Sequence, residues 1–138
     1  MDIKPLPHQR VFLECNGTKD KDPIRIVFFG GGAGGGKTWS ILLDNLVGVH
    51  DPNYLSVFFR STITELETNL WPEAKKMYHP FLFRDEKGED PIGKAHINEG
   101  KKIITFPSGA VSRFSYLEYK KDADSWYGAE ICKVYIDE

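Results

Sequence analysis

Residues 30–38 read GGGAGGGKT, between the apolar run IRIVFF at 24–29 and WSILLDNLV at 39–47. Such a stretch is either a flexible tether or a loop that holds phosphate, and its flanks discriminate between the two. From Gly31 to Thr38 the residues satisfy G-x-x-x-x-G-K-[ST], a phosphate-binding pattern. Glycine suits that loop because successive backbone N–H groups must turn inward on phosphate oxygens, with no Cβ in the way. A helix directly after the loop adds further N–H donors and the positive end of its dipole. The β-branched and aromatic run Ile24 to Phe29 reads as a buried strand. Trp39, Leu42, Leu43, Leu46 and Val49 fall at helical spacing, and the helix is expected to stop near Asp51-Pro52-Asn53. A tether has no reason to lie between a buried strand and an amphipathic helix. In the phosphate reading, Gly31, Gly32, Ala33, Gly34, Gly35 and Gly36 line the phosphates of ATP, Lys37 neutralises the β- and γ-phosphates, and the Thr38 hydroxyl ligates Mg²⁺.

Downstream, Tyr54 to Arg60 (YLSVFFR) has the same buried-strand character. Ser61-Thr62 then opens a second helix in which Thr62 and Glu65 have capping-box spacing. Its apolar stripe of Ile63, Leu66, Leu70, Ala74 and Met77 runs through Pro72, where a kink or break is expected. Arg84 to Lys94 reads as a polar loop. Segments around His96–Asn98, Lys102–Phe106 and Ala110–Tyr116 alternate apolar and polar residues, as a small antiparallel meander inserted in the α/β body would. Residues 120–125 (KKDADS) read as a solvated loop, and residues 131–138 (ICKVYIDE) as a last strand meeting acid at its C-terminal end.

That acid has a chemical use. A phosphate loop needs a carboxylate in the Mg²⁺ shell, usually at the end of a buried strand. Asp137 has this place, and Glu138 beside it would polarise the attacking water. The alternative is a solvated acidic stretch. A metal-holding Asp followed by a catalytic Glu belongs to the additional-glutamate class of NTPases, mostly motors and helicases, so the pair favours ATP-driven mechanical work.

Bulk properties narrow the field. The 138 residues suit one domain or part of one, and a hydrophobic fraction of 41% with 28% charged residues is that of a globular protein. No apolar stretch approaches the ~20 residues of a membrane-spanning helix. The start MDIKPLPHQR lacks a signal-peptide pattern. Cys15 and Cys132 have no metal or redox spacing, and His8, His50, His79 and His96 are scattered, which argues against zinc. The net charge of −2 gives no global basic field for nucleic acid, leaving room for a local basic surface or a partner domain.

In order along the chain, Pro7-His8-Gln9, the loop GGAGGGKT, VFFRSTITEL, ITFPSGAVSRFSYLE and DSWYGAEICKVYIDE together resemble the ATPase domain of the large terminase subunit. That subunit is the motor that packages DNA into the heads of tailed bacteriophages. The resemblance covers nearly the whole chain. It implies a P-loop NTPase fold of the additional-glutamate type, with a parallel sheet flanked by helices and an inserted antiparallel hairpin. Residues 1–23 would be the adenine segment, with Gln9 on the base, 24–60 the phosphate-loop core, 61–119 the helix and hairpin insertion, and 129–138 the acidic strand. It further implies double-stranded DNA, a portal protein and a small terminase subunit as partners, a homo-oligomeric ring, and the cytoplasm of a bacterial host, with no membrane.

Two departures stand out. Related loops often carry Arg where Ala33 stands here, so another residue, among them Arg60, Arg84 or Arg113, would have to sense the γ-phosphate. The chain also reaches only Glu138, whereas the resemblance implies a further sheet strand, a coupling segment and a nuclease domain. It is therefore expected to be part of a longer protein and inactive by itself. Another ATPase of the same class, such as a helicase or a PhoH-like protein, and a nucleotide-binding fragment without turnover are the alternative readings.

Overall fold

The computed structural model describes residues 36–85, 87–116 and 131–136. They form a mixed α/β structure. Helix α1 is Lys37–Asn45, β1 is Leu55–Arg60, α2 is Ile63–Glu65, a π-helical turn covers Leu66–Leu70, and α3 is Trp71–Tyr78. Six strands follow: β2 Leu82–Arg84, β3 Pro91–Lys94, β4 His96–Asn98, β5 Ile103–Thr105, β6 Val111–Tyr116 and β7 Lys133–Ile136.

Five of the strands make one sheet in the order β4-β5-β6-β1-β7. Strand β1 lies between β6 and β7 and is parallel to both, with Phe58 opposite Phe114 on one side and Tyr135 on the other. The expected meander exists, since β4, β5 and β6 pair antiparallel in sequence. Strand β6 also pairs with β1 and so carries the meander into the main sheet. The stretch read as a polar loop from Arg84 to Lys94 has strand at its two ends, Arg84 closing β2 and Pro91–Lys94 forming β3 of a two-stranded hairpin sheet. Its short strands have mostly exposed residues, so they lack the apolar alternation by which a half-buried strand is recognised. The strand expected at 24–29 lies outside the described residues, and the neighbour of β7 within them is β1.

Pro72 has no N–H for the helix ladder, and the helix accommodates it just upstream. There the ladder widens to a π-turn, with the Trp71 N–H bonding to the Leu66 carbonyl five residues back. The expected break is thus a bulge that leaves the helix continuous. At its start Thr62 Oγ1 accepts from the Glu65 N–H at 3.2 Å, one half of the capping box. The other half is diverted, since the Glu65 carboxylate accepts from the Ser61 hydroxyl. Helix α1 ends at Asn45, earlier than expected. The chain unwinds through single turns at Leu46, Val47 and Gly48 before reaching the Asp51 turn.

Alternation along the parallel strands puts Ser56 and Phe58, Ser112 and Phe114, and Lys133 and Tyr135 on one face. The rings of Phe114, Phe58 and Tyr135 stack across the three strands at 4.7 and 4.5 Å. Trp71 meets Phe114 edge-on, and Leu42, Leu66, Leu70, Ala74, Met77, Tyr78 and Phe106 complete the core over this face. Helix α1, the π-helical turn and α3 all contribute to this core. At about 25 cal/mol per Å² of buried apolar surface, such a layer is the main source of stability.

Candidate functional site

Helix α1 opens at Gly36, which is its N-cap and has φ 75° and ψ 19°. This left-handed conformation is one that glycine adopts without steric cost. The Gly36 carbonyl accepts from both the N–H of Ser40 at 3.0 Å and the Ser40 hydroxyl at 2.9 Å, which fixes the first turn. Lys37 and Thr38 occupy that turn, half-buried, where backbone N–H groups and the helix dipole favour an anion. Trp39, expected on the buried stripe, is 36% exposed, whereas Ser40 to Asn45 are buried on every side of the helix.

The orientation of α1 follows from its other end. Asn45 Nδ2 donates to Ser112 Oγ at 2.8 Å, near the start of β6, and Tyr54, just before β1, donates its hydroxyl to Asn45 Oδ1 at 3.0 Å. Asp44 pairs with Lys133, the first residue of β7. The C-terminal end of α1 therefore sits over the N-terminal ends of the parallel strands, and Lys37 and Thr38 lie toward their C-terminal ends. That edge of an open parallel sheet is where such folds bind ligands. Strands β1 and β7 end there at Arg60 and Ile136, the latter directly before Asp137 and Glu138. Of the expected site residues, Gly36, Lys37 and Thr38 are within the described residues. Gln9, Gly31, Gly32, Ala33, Gly34, Gly35, Asp137 and Glu138 lie outside them.

The three arginines separate. Arg60 closes β1, one residue past the Phe59–Ile136 pair, and so stands at the C-terminal edge of the parallel strands. Arg113 is exposed in the middle of β6. Arg84 is on the β2-β3 hairpin, where Nη1 donates to the Glu89 carbonyl at 2.9 Å. A cavity of about 590 Å³ lies beside that hairpin, lined by Leu46, Val49, His50, Phe81 and Phe83 among others. It adjoins the C-terminal end of α1 and so is remote from Lys37 and Thr38. Among the described residues no cluster of His, Cys, Asp or Glu is arranged to hold a metal ion, and no helix is long and apolar enough to cross a membrane.

A set of buried polar groups beneath α1 was not expected from the sequence. Asp44 is 3% exposed, and its Oδ2 accepts from both the Tyr135 hydroxyl and Lys133 Nζ. Asn45 bridges Tyr54 and Ser112, Ser112 bonds Ser56 at 2.7 Å, and the Tyr78 hydroxyl donates to the Leu42 carbonyl. Burial pushes the Tyr54 phenol up to about 12, helped by the Asp44 carboxylate. Burial also raises Tyr78 and Tyr135, with the Asp44 charge next in weight at Tyr135. The available signal was the pair Asp44-Asn45 within ILLDNLV, two polar residues in an apolar helical run.

No curated protein and no solved structure matches the chain. Residues 28–138 match the family model described as the N-terminal part of the terminase large subunit of T4-like viruses. The match takes in the glycine loop, α1, the whole described sheet and the terminal Asp137-Glu138, and the chain belongs to the terminase large-subunit family.

Proposed function

We propose that this chain carries the ATP-hydrolysing site of a phage DNA-packaging motor. Family membership implies a role in phage DNA packaging. The observation that supports the ATPase reading most directly is the start of α1, where left-handed Gly36 delivers Lys37 and Thr38 into the first helical turn. The strand leading to Asp137-Glu138 runs parallel to β1 in the same sheet. A P-loop NTPase sheet of the additional-glutamate type accounts for both.

In this reading the backbone from Gly31 to Gly36 cradles the phosphates, Gln9 contacts adenine, and the Lys37 ammonium neutralises charge on the β- and γ-phosphates. Glu138 takes a proton from water as its oxygen attacks the γ-phosphorus. The bond from that phosphorus to the β–γ bridging oxygen breaks, releasing ADP and inorganic phosphate. The Thr38 hydroxyl and the Asp137 carboxylate are hard oxygen donors that would hold Mg²⁺. When bound, Mg²⁺ would offset negative charge that develops on the phosphates. Arg60 is the arginine best situated to take the part that Ala33 does not. Double-stranded DNA is the substrate moved, with a portal protein, a small subunit and further copies of the chain in a ring as partners. The family match favours this motor over a helicase or a PhoH-like ATPase.

The test is Glu138→Gln in the full-length protein. Binding of ATP should persist while hydrolysis falls by about 100-fold or more, in line with loss of a positioned general base. Turnover at the wild-type rate would overturn the assignment.

A further inference from the structure

We infer that Asp44 is a positioning residue that holds the strand leading to Asp137-Glu138 in register with the helix bearing Lys37-Thr38. The inference rests on the ATPase reading above and adds to it a residue outside the phosphate loop and the acidic pair.

Geometry carries it. Asp44 is on α1, two helical turns after Lys37, and is buried at 3% exposure. One of its oxygens, Oδ2, accepts from two side chains of the same strand, Lys133 and Tyr135. These alternate residues share the face of β7 that looks at α1, and Ile136 then passes the chain directly to Asp137. The carboxylate thus bridges the two elements that would supply opposite sides of the reaction centre. The stacking of Tyr135 on Phe58 and the pairing of β7 with β1 fix β7 laterally in the sheet. Neither contact reaches α1. The Asp44 bonds do, and they resist sliding of β7 along the helix.

A buried charge is a costly way to join a helix to a strand. Apolar side chains of similar size are often as stable or more so, whereas a carboxylate oxygen that accepts from two side chains at once admits few alternative alignments. Phosphoryl transfer depends on alignment of nucleophile, metal and phosphate, so displacement by a fraction of an ångström at β7 would act on turnover and leave nucleotide affinity intact.

The experiment compares wild type, Asp44→Asn, Tyr135→Phe, the double variant Asp44→Leu with Lys133→Met, and Glu99→Gln, all in the full-length protein. Glu99→Gln breaks a remote ion pair with Lys75 and serves as a control for generic destabilisation. Four quantities are read: kcat, KM, the Kd of a non-hydrolysable ATP analogue with Mg²⁺, and Tm. Asp44→Asn and Tyr135→Phe should lower kcat about tenfold or more, with Kd within about twofold of wild type. The double variant should recover Tm to within about 5 °C of wild type and keep the low kcat, and Glu99→Gln should leave kcat unchanged. If Asp44→Asn does not fold, Tyr135→Phe decides, since it keeps the Lys133 pair. A wild-type kcat in both single variants, or a double variant that regains kcat together with Tm, overturns the inference. Turnover by wild type that Glu138→Gln abolishes would in that case leave the ATPase reading standing. A wild type that binds and hydrolyses no ATP overturns both.

Discussion

Gly48 and Tyr54 fit together with no room for a methyl group, since a Cβ on Gly48 would lie 2.3 Å from Cε1 of the Tyr54 ring. The ring is not free to retreat. Its hydroxyl is bonded to Asn45 Oδ1, and the backbone N–H of Tyr54 donates to the Asp51 carbonyl at 3.0 Å. Gly48→Ala should therefore destabilise the protein by about 1–3 kcal/mol, the usual cost of overpacking. A urea midpoint measured with the slope held constant checks this, and an unchanged midpoint would contradict the packing described.

Asn45 offers a second test of the same region. Its amide serves Tyr54 and Ser112 at once, so an apolar residue of similar volume takes the acceptor from the Tyr54 hydroxyl, while Ser112 keeps its bond to Ser56. Asn45→Leu should cost about 1–3 kcal/mol for the polar group left unsatisfied. Combining it with Tyr54→Phe should recover part of that loss, because the hydroxyl deprived of its acceptor is then gone. Equal stability of the single and double variants would argue that the Tyr54 hydroxyl is already satisfied by other groups.

The parts of this fold legible in the sequence are those where one local rule acts alone. Strand β1 and the helix after it have strong apolar patterns and a Thr62 cap, and both are present. The join of the meander to the main sheet was not legible, because pairing of β6 with β1 joins residues such as Leu55 and Val111, 56 positions apart, which no local pattern encodes. Asp44 and Asn45 were missed for a related reason. A polar residue inside an apolar helical run reads as solvent-facing unless its partners are known, and here they come from positions 54, 112, 133 and 135. In the candidate site, Gly36-Lys37-Thr38 was readable because the phosphate-loop pattern is local and chemically demanding.

Alkaline titration should reveal the buried phenols. Tyr54 is held up to about 12, and Tyr78 and Tyr135 are raised by burial as well. These groups are neutral when folded and ionise near pH 10 when unfolded, so their contribution is complete below about pH 10 and is lost as pH rises above it. Phenolate absorbance should accordingly show a late component that rises together with loss of tertiary structure. Smooth titration of every tyrosine near pH 10 with the fold intact would contradict their burial.

At the acid end the responsive element is the turn of the β2-β3 hairpin. Asp85 Oδ1 accepts from the Glu89 N–H at 2.9 Å and Oδ2 from the Asp90 N–H at 3.3 Å, while the Asp85 N–H donates to the Asp90 carbonyl. The bond from Glu89, and then those from its neighbours, hold the Asp85 carboxyl below its ordinary range. A depressed folded value means that the turn is stabilised above the unfolded value of about 3.9 and loses this stabilisation as pH falls through the folded one. The amide resonances of Glu89 and Asp90 should hold their positions down to about pH 4 and then shift together, with a midpoint below 3.9. Asp85→Asn should abolish that shared transition and speed amide exchange in the turn at neutral pH, because a neutral amide oxygen is a weaker acceptor than a carboxylate. A midpoint at or above the unfolded value would mean that the carboxylate does not hold the turn in solution.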